Sequence, residues 1–206
     1  MQAVSQMIAH KPTKIDRHLV KKASITCSEA FKDDPLTVYL IPDQTRRNNL
    51  CYGFEYYLRM AIVSGAESYT ISHNCEGVAV WQDSLKKEPF GLVFRGGNPF
   101  LPFRCGIRYI MSGLDANRLS IKIRRKYAPK HHLYLSLLAV HPDHQGMGYS
   151  SQLLKPMFSK LDSVNLPCFL DTQNPKNVSL YQRFGFNIVH ETKFDNVVPF
   201  YAMLRY

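Results

Sequence analysis

No stretch of the sequence approaches the roughly 20 consecutive apolar residues that a membrane-crossing helix needs, which excludes a helical membrane protein as a reading. The first ten residues lack the basic start and apolar block of a secretory leader, and the expected location is the cytoplasm. Cysteine is sparse. Cys27, Cys51, Cys75, Cys105 and Cys168 are odd in number, widely spaced and never in a Cys-x-x-Cys pair. That spacing points to neither a zinc site nor a disulfide framework, and it suits a reducing compartment. Acidic residues are few, 16 Asp and Glu against 26 Lys and Arg, leaving a net charge of +10. There is no internal repeat and no low-complexity tract.

What is present suffices for a packed domain. Of the 206 residues, 45% are hydrophobic and 12% aromatic, which argues against a disordered chain. The positive charge is uneven. Residues 83–130 hold eleven basic against three acidic residues, and residues 1–22 hold five against one. The first segment reads as a basic insertion and the second as a flexible tail, with residues 23–206 forming one domain. Such basic segments either recruit a polyanion or simply stay solvated.

Periodicity places the elements. A short helix is expected over 24–32, and a longer one over 45–66 with Leu50, Phe54, Leu58 and Ala61 on one face. Residues 67–73 and 77–82 alternate as a hairpin. Within 83–130, Gly96-Gly97-Asn98-Pro99 is a break, and helical pieces fall at 100–111 and 116–126. The last third reads clearly: a strand at 133–140, a helix at 148–164 kinked by Pro156, and a buried strand at 168–172. A helix follows, N-capped by Asn174, opened by Pro175 and stopped at Gly185. A final hairpin turns at Asp195-Asn196.

The densest signal is the run from His141 to Ser150, His-Pro-Asp-His-Gln-Gly-Met-Gly-Tyr-Ser, between an apolar strand and a helix. The first N–H groups of a helix lack partners and carry the positive end of its dipole, and glycine lets an anion approach them closely. The run therefore reads as a phosphate cradle. It is not a nucleotide P-loop, because no lysine follows Gly148. It is not a dinucleotide fingerprint either. Ser151 stands where a third glycine is needed, and only 58 residues follow Gly148, too few for a doubly wound sheet.

Gln145-x-x-Gly148-x-Ser150, preceded by Val140-x-Pro142, resembles the Q/R-x-x-G-x-G/A signature of the GCN5-related N-acetyltransferase (GNAT) superfamily. Asn174-x-x-Asn177-x-x-x-Tyr181-x-x-x-Gly185-Phe186 is similar to that family's second hallmark. The stretch from Tyr134 to Phe186, with its Leu-Pro-Cys-Phe-Leu-Asp-Thr strand, resembles the puromycin N-acetyltransferase-like branch. Asp34-Pro35, Pro42-Asp43 and Ala79-Val80-Trp81 are weaker landmarks of the same kind, and Ser150 departs from the usual Gly or Ala.

The resemblance implies an α/β fold with a mixed, mostly antiparallel central sheet and helices on both faces. It implies acetyl-CoA as cofactor, bound by Gln145, Gly146, Met147, Gly148, Tyr149 and Ser150, with the diphosphate on the backbone N–H groups of Gly146 through Ser150. The pantetheine arm would lie along the strand of Leu138, Ala139 and Val140, with Asn174 and Asn177 nearby. The implied reaction is direct attack of a primary amine, that of a small molecule, on the thioester in a ternary complex. Tyr181 matches the family's acid; its other reading is a buried structural tyrosine.

Asp171 is equally a base or a capping or salt-bridged carboxylate, with Glu55 and Glu67 as weaker alternatives. No metal is expected, because adjacent His131 and His132 on a strand point to opposite faces. Cys168 reads as an inert buried thiol. The basic run 118–130 carries no nucleic-acid motif, and contact with the 3′-phosphate of CoA or plain solvation explains it. A protein or RNA amino-group acetyltransferase and a non-catalytic CoA-binding module remain as alternatives. The oligomeric state, monomer or homodimer, is open.

Overall fold

A computed structural model describes residues 12–86 and 100–206. The first eleven residues of the basic tail and the Gly96–Pro99 break lie outside the described residues. Strand β1 (Thr13–Lys14) leads into helix α1 (Val20–Phe31). Two short helices follow, α2 (Pro35–Leu40) and α3 (Gln44–Arg47). The Asp-Pro and Pro-Asp landmarks are their caps: the Asp34 carboxylate accepts from the Leu36 N–H at 3.0 Å, and Asp43 from Thr45 N–H at 2.9 Å. Helix α4 (Leu50–Val63) leads to the hairpin β2 (Glu67–Thr70) and β3 (Gly77–Asp83). A 3₁₀ turn (Leu101–Cys105) precedes α5 (Ile107–Tyr127). Then come β4 (Leu133–Val140), α6 (Tyr149–Ser163), β5 (Cys168–Thr172), α7 (Pro175–Gln182), β6 (Asn187–Phe194) and β7 (Val198–Arg205).

The strands form one seven-stranded sheet in the order β1-β2-β3-β4-β5-β7-β6. All neighbours are antiparallel except β4 and β5, which are parallel. The parallel pair is short: it joins Leu133–Leu135 to Cys168–Leu170 and then ends, although both strands continue. Beyond Leu135 and Leu170 the sheet is split.

Two layers of helix cover the sheet. On one face α6 buries Leu153, Leu154, Met157, Phe158 and Leu161 against Trp81, Leu133, Leu135, Cys168, Leu170 and Met203, with Tyr181 and Phe186 at the edge. Pro156 lies on the exposed side of α6, where water can take the carbonyl it leaves unpaired, and one helix runs through it. On the other face α1 and α4 cover Val78, Val80, Leu137 and Ala139, while α5 covers Phe169, Phe200, Ala202 and Leu204. Leu154 is fully buried. The expected result of Leu154→Ala is a loss of about 3 kcal/mol, read as a fall in Tm on the order of 10 °C.

Two segments differ from the reading of the sequence. Residues 13–14 pair with β2, and α1 begins at Val20, so the tail does not extend to residue 22. Over 107–127 the basic stretch is neither an insertion nor two helical pieces. It is one helix of the core, whose Ser120 and Ile123 are buried while Leu119 and Tyr127 pack beside them. Ser112-Gly113 weakens local helix propensity by about 1 kcal/mol, and packing on the sheet outweighs it.

Candidate functional site

A single extra residue organises the split. Val80 pairs with Leu137 and Trp81 with Leu135, which leaves Ser136 as a one-residue bulge in β4. Before the bulge, Leu133 and Leu135 face α6; after it, Leu137 and Ala139 face α1 and α4. The main chain changes phase likewise. Leu133 N–H bonds to Pro167 O on the β5 side, whereas His141 N–H bonds to Glu76 O on the β3 side. Backbone groups alternate along a strand, so Leu138 and Val140 turn theirs into the split. The Val140 carbonyl confirms the direction by accepting from Gln145 Nε2 at 3.2 Å. Ala139, expected to serve with them, instead faces β3, opposite Val78.

At the end of β4 the chain makes a 3₁₀ turn (Pro142–His144) and then the glycine run. Gly146 and Gly148 have φ of 79° and 78°, a region that an L side chain enters only with strain. Gly148 is the N-cap of α6 and contributes no side-chain oxygen to the helix end. The first backbone bond of that helix is from Gln152 N–H to Gly148 O. Among the described residues, nothing takes the N–H groups of Gly146, Met147, Gly148, Tyr149 or Ser150.

Five adjacent donors at the positive end of a fifteen-residue helix fit a diphosphate. Gln145 plays a different part, since its backbone N–H is spent on Pro142 O and its side chain on Val140. His141 also flanks the turn structurally, accepting from Asp143 N–H at its Nδ1. Gly148→Ala is expected to cost about 1–2 kcal/mol of backbone strain, seen as a lower melting temperature and weaker coenzyme A binding by calorimetry.

The split joins two different faces. On the α6 face stands Tyr181, 7% exposed, from α7. Asn174 caps α7 by accepting from Lys176 N–H at 3.1 Å, and Asn177 lies half-buried one turn on. No described residue hydrogen-bonds the Tyr181 hydroxyl. Burial, then the negative charges of Asp171 and Asp34, hold its pKa well above the usual tyrosine value. The phenol therefore keeps its proton throughout the neutral range.

On the opposite face stands Asp171. If the parallel register continued past Leu135 and Leu170, Ser136 and Asp171 would be the next pair, and they are the first residues inside the split. Asp171 Oδ2 accepts from Ser120 Oγ at 2.6 Å and from Tyr134 O–H at 2.9 Å, and its Oδ1 accepts from Gln173 Nε2 at 3.1 Å. An ionised carboxylate has about four acceptor positions, so one remains on Oδ1. Arg124 lies over the Tyr134 ring, 4.1 Å from its centroid. Ser120, Tyr134, Gln173 and Ser136 were not singled out from the sequence.

The other candidates are placed elsewhere. Glu67 accepts from Tyr69 and Lys160 beside Leu133 and His131, at the paired end of β4 and away from the split. Glu55 is bound by Arg59 at 2.7 Å. Burial raises the Cys168 thiol to about 12, which suits an inert side chain. Among the described residues no group of histidines, cysteines and carboxylates could hold a metal, and no helix is long and apolar enough to cross a membrane. Helix α5, with the basic run, lies across the sheet from α6, so the expected contact of that run with a 3′-phosphate is not supported.

Comparison with known proteins agrees with this geometry. Residues 107–186 match the model of the Acetyltransferase (GNAT) family, which spans both the glycine turn and Tyr181. An uncharacterized N-acetyltransferase of Schizosaccharomyces pombe is 26% identical over 209 residues, covering 90% of this chain and 78% of the relative. Two solved structures share the fold. One is described as histone acetyltransferase HPA2 and related acetyltransferase from Corynebacterium glutamicum. It has a TM-score of 0.61 and 21% identity, and the match covers 95% and 96% of the two chains. The other is the paiA N-acetyltransferase of Thermoplasma acidophilum, solved with coenzyme A. Its TM-score is 0.54 at 12% identity, covering 94% and 96%. A donor-lined helix end, a split parallel pair and a protonated phenol thus coincide with the match of residues 107–186 to the GNAT acetyltransferase family, and the chain is an acyltransferase that uses acetyl-CoA as its acyl donor.

Proposed function

We propose that the protein transfers an acetyl group from acetyl-CoA to the primary amine of a small molecule, by direct attack with both substrates bound. The observation that carries this reading is the split beyond Leu135 and Leu170, with an uncapped glycine turn on one side and a carboxylate on the other. The acyl donor supplies an activated carbonyl and a sulfur leaving group. The N–H groups of Gly146–Ser150 hold its diphosphate, and the main chain of Leu138 and Val140 pairs with the pantetheine amides as an added strand would. Asp171 takes the proton of the incoming ammonium on the free acceptor position of Oδ1. The amine nitrogen then bonds to the acetyl carbon as the carbon–sulfur bond breaks, Tyr181 gives its hydroxyl proton to the departing sulfur, and the second proton lost by the nitrogen returns through water to the Tyr181 phenolate.

The choice of a small amine is supported by the likeness of residues 134–186 to the puromycin N-acetyltransferase-like branch. The fold alone does not choose, since one neighbour of the same fold is described as a histone acetyltransferase. The test is release of free CoA, followed with a thiol reagent, across a panel of aromatic, aliphatic and polyamine acceptors and short peptides. Turnover with a small amine and not with peptides is the expected result. Absence of both turnover and coenzyme A binding would overturn the enzymatic reading.

A second reading has its own observation. Arg118, Lys122, Arg125 and Lys126 are exposed along α5, on the acceptor side of the sheet. A macromolecular acceptor with an anionic surface would suit them, and its association would weaken steeply with salt.

A further inference from the structure

We infer that Tyr57 is a positioning residue for the pantetheine arm: through Ser136 it locks the one-residue bulge that turns the main chain of Leu138 and Val140 into the split. This rests on the reading of the split as the coenzyme A site. Tyr57 belongs to α4 and its ring packs among the residues between α4 and the sheet. Its hydroxyl oxygen lies 2.7 Å from Ser136 Oγ, and Ser136 Oγ donates to the Val80 carbonyl at 3.1 Å. The serine proton is committed to Val80, so the tyrosine is the donor in the first of these bonds. Three elements, α4, β4 and β3, are tied together at the bulge.

The consequence follows from strand periodicity. In a strand, a shift of one residue exchanges the two faces and the two edges. Without the extra residue, Leu138 and Val140 would direct their N–H and C=O groups at β3. Leu137 and Ala139 would turn theirs to the split, and their side chains would leave the layer beneath α1 and α4 where they are now buried. The cofactor edge of β4 therefore depends on the insertion staying at position 136. Val80, the residue opposite the bulge, is the one that Ser136 grips. Neither side chain needs to touch the ligand. Their effect is to hold the phase of the strand that does.

The test compares two probes, coenzyme A and adenosine 3′,5′-bisphosphate, by calorimetry. The second lacks the pantetheine arm and reads only the phosphate and nucleotide contacts. Tyr57→Phe keeps the ring and removes only the hydroxyl. It is expected to weaken coenzyme A binding about tenfold, the effect of one lost anchoring hydrogen bond on the aligned edge, while leaving the bisphosphate affinity unchanged. Ser136→Ala should do the same, and Ser136→Thr, which retains a hydroxyl, should restore coenzyme A binding. If Tyr57→Phe and Ser136→Ala fold and keep the wild-type preference for coenzyme A over the bisphosphate, the positioning role is wrong and the site reading stands. If the wild-type protein itself shows no such preference, the site reading fails and this inference fails with it.

Discussion

Tyr181→Phe is expected to lower kcat by roughly 100-fold, the lower end of what a general acid contributes, with little change in coenzyme A affinity. The physical case rests on the hydroxyl. It has no hydrogen-bond partner among the described residues, and it belongs to a residue only 7% exposed on the face of the sheet that carries the glycine turn. A hydroxyl that bonds to no described residue adds nothing to the packing that a phenylalanine ring would not supply, so its presence is better explained by chemistry than by packing. The replacement should therefore leave the melting temperature nearly unchanged. Burial and the nearby Asp171 and Asp34 charges raise the phenol's pKa, so the protonated form persists through the ordinary tyrosine value near 10. The wild-type rate should then show no alkaline fall assignable to this group below about pH 10. Any acid-side fall belongs to groups that must lose a proton. Unchanged turnover in the phenylalanine variant would reduce Tyr181 to a packing residue.

Asp171→Asn should reduce kcat/KM for the amine by roughly 100-fold or more while coenzyme A binding is retained. The substitution is nearly isosteric. Its amide oxygen can still accept from Ser120 and Tyr134, and its amino group can donate to the carbonyl of Gln173 after that side chain turns over. The three hydrogen bonds of the cluster can thus survive, and what is lost is the negative charge and the proton-accepting position. A purely structural Asp171 predicts the opposite pattern, with near-normal kinetics for Asn and a clear loss of stability for Asp171→Ala, which strands the buried Tyr134 hydroxyl. Thermal melts of both variants beside amine kinetics separate the two roles.

The reading of the last third from its residues was close because its signals are local. Asn174 caps, Pro175 opens the helix, Gly146 and Gly148 turn, and Asp195 and Asn196 take φ of 48° and 58° in a three-residue hairpin loop. Each is a property of one or two residues and their immediate neighbours. The helix of 107–127 was less legible because Gly113 breaks the local pattern, while the packing that sustains the helix comes from Phe169, Phe200, Ala202 and Leu204 far along the chain.

The candidate site divides in the same way. The sequence by itself determined where a helix end with free N–H groups stands, because uncapped N–H groups and a left-handed glycine are consequences of residue type and order. It also determined that Tyr181 and Asp171 were the residues to examine. Only the tertiary structure decided that these two stand on opposite faces of a split sheet, that the main chain of Ala139 faces away from the split, and that Ser120 and Tyr57 bond to the residues at its mouth. Ser120 meets Asp171 across 51 positions and Tyr57 meets Ser136 across 79. The bulge at Ser136 that sets the edge has no signature of its own, because an inserted residue is visible only against the strand it fails to match.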